Sequence, residues 1–155
     1  MPFQNKIRTN QALGVAGEPS KAMHSYYNTI AGLATDDNLK FGSFALSSTA
    51  PNAKEWEVVG KAGGAVLGVV VRDRTFYGCS ENATIPKGQP ITICNRGNVY
   101  VETELVAKRG QSVEVDKTTG EVTFENAAGA NASGWVVVVG NATATKGVIE
   151  ISTAK

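Results

Sequence analysis

The side chains that could do chemistry in this sequence are few and far apart. His24 is the single histidine of the 155 residues. A serine or cysteine nucleophile would have to use this one imidazole as its base and would need a third group to orient it. His24 also lies in an N-terminal segment without predicted strands, whereas catalytic groups need rigid support. We therefore predict no catalytic residues and no enzymatic activity, with His24 an exposed or interface residue that is open to a role as a pH-responsive contact.

Two pairs of carboxylates are the next candidates. Asp36 and Asp37 are adjacent, but a Ca²⁺ site needs about six oxygen ligands, usually spaced along a loop. Glu102 and Glu104 share one strand face, as a glycosidase pair might, yet nothing else in the sequence indicates a sugar cleft. We predict that the aspartates form a solvated turn and that the glutamates lie on a solvated face that discourages edge pairing. No metal and no cofactor are expected.

The two cysteines, Cys79 and Cys94, are fifteen positions apart. One disulfide between them is geometrically conceivable, but a cytosol would keep both reduced. Metal binding would need further Cys or His partners, and His24 is in a different segment. We predict two partly buried thiols that pack as small hydrophobic groups.

The glycine-rich stretch Gly60-Lys61-Ala62-Gly63-Gly64 invites comparison with a phosphate-binding loop. It lacks the Gly-Lys-Ser/Thr ending of such loops, and a predicted strand rather than a helix follows it. The stretch therefore predicts a turn.

Composition excludes several classes of protein. Hydrophobic residues make up 42% and charged residues 19% of the chain, and the net charge is +1. No basic excess is available to bind nucleic acid or anionic lipid. The longest apolar stretches, residues 65–71 and 135–139, are far shorter than the roughly 20 residues of a membrane helix, and no secretory signal is visible at the N-terminus. We expect neither a nucleic-acid nor a membrane partner.

Residues 1–38 predict an extended N-terminal arm, with a short helix permitted over about residues 20–31 and Ser20 as its N-cap. The segment shows no sustained helical period and no clean alternation. Apolar residues are nevertheless scattered through it, so it would order on docking, either around its own barrel or onto a neighbour. The aromatic and aliphatic side chains that we predict to contact a partner are Phe3, Ile7, Tyr26 and Tyr27.

Residues 39–155 predict a β domain. Val99, Val101, Thr103 and Leu105 alternate with polar residues, as do Val113 and Val115, and each alternation is typical of a half-buried strand. Gly120 closes a predicted hairpin loop, and residues 136–139 are apolar enough to be buried on both faces. About eight short strands with turns every 8–12 residues predict a mostly β fold, a small antiparallel β-barrel or sandwich with an extended N-terminal arm.

Several short motifs resemble the structural cement (head decoration) proteins of tailed bacteriophages. They are the opening Met1-Pro2-Phe3-Gln4, the Gly60-Lys61-Ala62-Gly63-Gly64 turn, Gly68-Val69-Val70-Val71, and Ser112-Val113-Glu114-Val115-Asp116 ahead of a Thr-Thr-Gly hairpin. The resemblance implies a protein made in the bacterial host cytoplasm and bound to the outer surface of the capsid. Its partners would be the major capsid protein and further copies of itself, as a homodimer in preference to a trimer.

Two other functions remain open at this point. One is another structural barrel of the virion, of the tail-tube or head-completion type. The other is a small carbohydrate- or ligand-binding β module that would use Trp56, Trp135 or Tyr100.

Overall fold

The computed structural model describes residues 14–20, 27–72, 84–124 and 130–153. These residues form ten strands and no helix, so no described helix is long and apolar enough to cross a membrane. The strands are β1 (Asn28–Ala34), β2 (Phe44–Ser47), β3 (Glu57–Val59), β4 (Val66–Val70), β5 (Pro90–Arg96), β6 (Asn98–Thr103), β7 (Ser112–Asp116), β8 (Val122–Phe124), β9 (Ala130–Val139) and β10 (Gly147–Ser152). The predicted mostly β fold is confirmed.

The first five strands close into a barrel in the order β1-β3-β2-β4-β5. Strand β5 closes it by pairing antiparallel with both β4 and β1. All pairs are antiparallel except β1 with β3, which run in the same direction. The predicted antiparallel barrel thus contains one parallel pair.

The last five strands form a second sheet in the order β6-β10-β9-β7-β8, so that β6 and β8 are its edges. All of its pairs are antiparallel. The barrel's outer surface packs against this second sheet.

Two hydrophobic clusters result, because residues of β2, β4 and β5 alternate between the inside and the outside of the barrel. Ala45, Val70 and Ile93 point inward, while Phe44, Val69 and Cys94 point outward onto the second sheet. The inner cluster comprises Ala34, Leu39, Phe41, Ala45, Val58, Val70, Ile85, Ile91 and Ile93. The outer cluster comprises Phe44, Leu46, Val69, Val71, Cys94, Val99, Val101, Ala107, Val113, Val115, Trp135, Val137, Ile149 and Ile151.

Part of the predicted N-terminal arm is instead a barrel strand. Residues 28–34 form β1 and pair with β3 and β5, so the barrel begins at Asn28 rather than at residue 39. The helix permitted over about residues 20–31 is wrong where the structure describes it, since residues 28–31 are extended. The pairing partners of β1 lie 24 to 68 residues away in sequence, which no local period reveals.

Two predictions of burial in the second sheet are also wrong. Trp135 and Val137 are buried, but Val136 and Val138 are only half-buried and Val139 is exposed, so β9 has one buried face rather than two. Leu105 is exposed because β6 ends at Thr103 and the chain leaves the sheet there. Strand β9 also begins at Ala130, within residues 126–134, whose small and polar side chains predict a surface loop.

Candidate functional site

The predicted acidic turn at Asp36 and Asp37 makes hydrogen bonds to two other loops. The Asp36 carboxylate accepts hydrogen bonds from the backbone N–H of Gly60, at 3.1 and 3.0 Å to its two oxygens. The neighbouring Asp37 accepts one from the N–H of Lys87 at 2.8 Å. In the described ranges no group of three or more His, Cys, Asp and Glu side chains could hold a metal ion. Asp36 and Asp37 therefore fasten the end of β1 to two other loops.

The glycine-rich turn and the Thr-Thr-Gly hairpin, which both carried the resemblance, lie against each other. Ala62 and Gly63 donate backbone hydrogen bonds to the carbonyls of Thr118 and Lys117, each at 3.1 Å. A side chain at Gly120 would overlap the Gly60 carbonyl. The two turns thus join the barrel to the β7–β8 hairpin, and their glycines serve this close approach.

Residues 14–20 are fastened along part of the β6 edge. Pro19 pairs with Val99 in an isolated antiparallel bridge. Gly17 donates to the Tyr100 carbonyl at 2.8 Å, and the Tyr100 N–H donates to the Glu18 carbonyl at 3.0 Å. The first described residue, Gly14, therefore lies at a fixed point beside Tyr100 of β6.

Side-chain hydrogen bonds in a buried polar network also hold residues 14–20 in place. The Glu150 carboxylate is 7% exposed. It accepts hydrogen bonds from the Ser20 hydroxyl at 2.6 Å and the Asn98 amide at 2.9 Å. The Ser152 hydroxyl donates to the Asn98 carbonyl oxygen at 2.9 Å. Buried charge is costly unless it is hydrogen-bonded, so Ser20 and Asn98 stabilise this carboxylate inside the fold.

The two edges of the second sheet face each other across a groove of about 500 Å³. Residues 102–105 line one side, residues 120–123 line the other, and residues 40–43 of the barrel complete it. Its charged side chains are three exposed glutamates, Glu102, Glu104 and Glu121, and one exposed lysine, Lys40. Glu102 also forms an ion pair with Lys146 at 3.1 Å. The predicted solvated glutamate face is therefore the wall of an acidic groove.

Of the four predicted contact residues, only Tyr27 lies in the described part of the chain; Phe3, Ile7 and Tyr26 lie outside it, as does His24. Tyr27 is half-buried and packs against the outer cluster. Burial raises the pKa of its phenol, and the neighbouring Cys94 raises it further. Part of the Tyr27 side chain is thus already in contact with the core of its own chain.

Sequence reasoning missed several exposed apolar side chains. Leu105 and Val106 are 45% and 43% exposed, and Val139 is 39% exposed. Leu105 and Val106 precede Ala107, which bridges to Asn141 two positions after Val139, so all three lie toward one end of the second sheet. Their signal would have been apolar residues placed at the end of a strand or just beyond it.

The three aromatic residues of the ligand-binding alternative belong to different elements, with Trp135 in β9, Tyr100 in β6 and Trp56 just before β3. Trp135 is 2% exposed and lies edge-on to Phe44, with ring centroids 6.3 Å apart. Trp56 is 54% exposed, with the Lys54 ammonium 5.2 Å from its ring centroid. Burial raises the pKa of the Tyr100 phenol, and the charge of Glu150 adds to the effect. Because Trp135 is buried in the core, it offers no surface to a ligand.

The thiol of Cys94 leads to a prediction about pH. Cys94 is fully buried and free, and its Sγ donates to the Arg96 carbonyl at 3.3 Å. Burial raises its pKa from 9.0 to about 11. In a Cys79→Ser variant, we expect a thiol reagent at about pH 8 to leave the native protein unlabelled and to label it after unfolding. Labelling of the native protein at the unfolded rate would contradict the burial of Cys94.

The raised pKa of Cys94 also gives a direction for stability. Below pH 9 the thiol is protonated in both the folded and the unfolded chain, so its contribution is complete. Between about pH 9 and 11 the unfolded thiol ionises while the folded one keeps its proton, so the free energy of unfolding falls as pH rises. Urea unfolding across this range, compared with that of a Cys94→Ala variant, measures the contribution.

One known protein family matches almost the whole chain. A family described as "Structural cement protein (E217 gp24/Pam3 gp6)" matches residues 3–154. The chain belongs to the structural cement protein family. It is a capsid-stabilising decoration protein, located in the capsid of the phage virion, where it associates with capsid proteins in a structural role. The resemblance found in the sequence is confirmed.

A solved structure shows the same fold. A chain of the capsid of Myoviridae phage XM1 superposes with a TM-score of 0.63 and 22% sequence identity, covering 100% of this chain and 99% of that one. A comparison with curated proteins gives no significant match. The cement-protein chain thus shares the fold of a capsid component over its whole length.

Proposed function

We propose that this cement protein binds the outer surface of a tailed-phage head, across joints between subunits of the major capsid protein, and that it has no catalytic activity. Its N-terminal residues make the main contact, to the shell or to a neighbouring cement subunit, and the protein acts as a homodimer in preference to a trimer. The observation that carries this proposal is the fastening of residues 14–20 to β6, which fixes the point at which residues 1–13 join the described body.

A filled phage head is under outward load. A protein that spans a joint between shell subunits adds buried interface without changing the fold of the shell. Several weak contacts engaged together give avidity well above that of any one contact. Phe3 and Ile7 supply apolar anchors within residues 1–13, and large anchors of this kind dominate the energy of interfaces.

Part of the N-terminal segment from which the contact residues come is engaged in the fold itself. Residues 28–34 form a barrel strand and residues 17–20 are bonded to β6, so both are engaged in the fold. Tyr27 is half-buried and retains a smaller exposed surface for contact. Within the proposed contact set of Phe3, Ile7, Tyr26 and Tyr27, we assign the first two the larger part.

Removing residues 1–13 tests the proposed contact. The described body keeps its hydrogen bonds and its cores, so we expect the truncated protein to fold. Its affinity for undecorated heads should fall at least about tenfold, because two anchors worth about 1 kcal/mol or more each are lost. Co-sedimentation with heads, followed by densitometry against the major shell protein, measures the occupancy.

Two further proteins sharpen this test. A Phe3→Ala/Ile7→Ala double variant keeps the chain length and should lose a similar share of affinity. Trp56→Ala, which truncates an exposed barrel residue, serves as the control and should bind like the unmodified protein. Undiminished occupancy of the truncated protein would show that the contact lies elsewhere on the body.

A further inference from the structure

Both edge strands of the second sheet, β6 and β8, contribute residues to the walls of the groove. Neither edge has a further described strand beside it at residues 102–105 or 120–123. The Tyr100 N–H and carbonyl bond to residues 17 and 18, on the side of β6 away from β10. Because backbone groups alternate sides along a strand, those of Glu102 face the same outer side, into the groove.

The β8 edge presents the same unfilled side. The Glu121 carbonyl accepts a hydrogen bond from the N–H of Asp116, toward β7. By the same alternation, the backbone groups of Val122 point away from β7, toward the groove. The groove thus has hydrogen-bonding backbone on both walls, as strand addition requires.

The side chains define what kind of strand fits. Val122 is only half-buried against the outer cluster, which leaves apolar surface on the inner side of the groove. On the outer side are Glu102, Glu104 and Glu121, against the single Lys40. The fitting strand therefore has apolar side chains on one face and basic side chains on the other.

Residues 1–13 of this chain have that pattern. The segment reads Met-Pro-Phe-Gln-Asn-Lys-Ile-Arg-Thr-Asn-Gln-Ala-Leu and contains two basic residues and no acidic one. In an extended conformation Phe3 and Ile7 fall on one face and Lys6 and Arg8 on the other. Lys6 and Arg8 are two positions apart, as are Glu102 and Glu104.

We propose that residues 1–13 of a second copy of this chain add as a strand in the groove between β6 and β8. Phe3 and Ile7 face inward beside Val122, and Lys6 and Arg8 face outward beside the glutamates. Thirteen extended residues reach about 43–47 Å, which is enough to cross to a neighbouring subunit. The inference rests on the proposed function, because it names the neighbouring cement subunit as the receiver of the segment.

Charge reversal on the full-length protein tests the exchange. Lys6→Glu/Arg8→Glu and Glu104→Lys/Glu121→Lys should each weaken self-association about tenfold, since attractive cross-strand pairs become repulsive. An equimolar mixture of the two variants should recover association, because each offers one matched segment and groove. Glu55→Lys, an exposed change in the loop before β3, is the control. Sedimentation velocity over a range of protein and salt concentrations is the measurement.

Amide hydrogen exchange separates the inference from its alternatives. Protection of the Glu102 and Val122 amides should rise with protein concentration and be lost in both reversal variants. Protection independent of concentration would show that the segment docks on its own chain, and association unaffected by both reversals would show that it docks elsewhere; either result overturns the proposal. Variants that fail to self-associate but still occupy heads leave the proposed function standing, whereas unmodified protein that does not bind heads overturns the proposed function itself.

Discussion

Trp135→Ala is expected to lower the free energy of unfolding by about 3–5 kcal/mol, the range for removing a buried tryptophan from a packed core. Trp135 lies in β9 on the inner face of the second sheet and packs edge-on against Phe44 of the barrel. It therefore connects the two halves of the molecule. Urea unfolding followed by circular dichroism measures the loss, since the substitution itself alters fluorescence.

The second tryptophan provides the matched control for this prediction. Trp56 is 54% exposed and its main partner is the ammonium of Lys54. We expect Trp56→Ala to cost about 1 kcal/mol or less. If Trp135→Ala prevents folding, Trp135→Phe keeps a ring against Phe44 and should fold with an intermediate loss. Equal effects of Trp135→Ala and Trp56→Ala would contradict the packing of the barrel on the second sheet.

Gly68→Ala is expected to destabilise the protein by about 3 kcal/mol or more, because it combines a backbone clash with backbone strain. Gly68 lies in β4 beside an irregularity in its pairing with β2. Its φ is +154°, and a Cβ there would overlap the carbonyl oxygen of Cys94 on β5. Neither backbone can move without opening the barrel. Thermal unfolding measures the change.

Gly88→Ala separates the clash from the strain. Gly88 has a φ of +87°, and a Cβ at this position would have no other atom within 4 Å. The substitution therefore adds only the strain of a left-handed backbone conformation. We expect a loss of about 1 kcal/mol, from the strain of a left-handed non-glycine residue. A Gly68→Ala protein as stable as Gly88→Ala would mean that β4 and β5 approach less closely than the structure shows.

Strands with a visible two-residue period could be predicted from the sequence. Val113 and Val115, and likewise Val99 and Val101, are buried as their alternation with polar residues predicts. In these strands one face contacts the core and the other does not. Buried and exposed positions therefore alternate along the sequence as apolar and polar residues. The hairpin loop closed by Gly120 could also be predicted, because such loops often need a positive φ that glycine adopts easily. The φ of Gly120 is +75°.

Apolar runs without a period could not be assigned in this way. Residues 69–71 and 136–139 both read as continuous valine-rich strands. The first is buried on both faces, between the barrel interior and the second sheet, while the second has one buried face. An apolar run shows that a strand can be buried. It does not show whether one or both of its faces will be covered by other layers of the fold.

The sequence by itself determined that this protein is built from short strands, that it resembles a cement protein, and that its potential catalytic groups are few. Composition and two-residue periods are local properties, and the family motifs are short. Only the tertiary structure decided that residues 17–20 bond to β6, that Glu150 is buried beneath Ser20, and that the edges of the second sheet face each other across an acidic groove. Each of these joins segments distant along the chain, and such contacts follow from strand pairing and layer packing, which no single segment specifies.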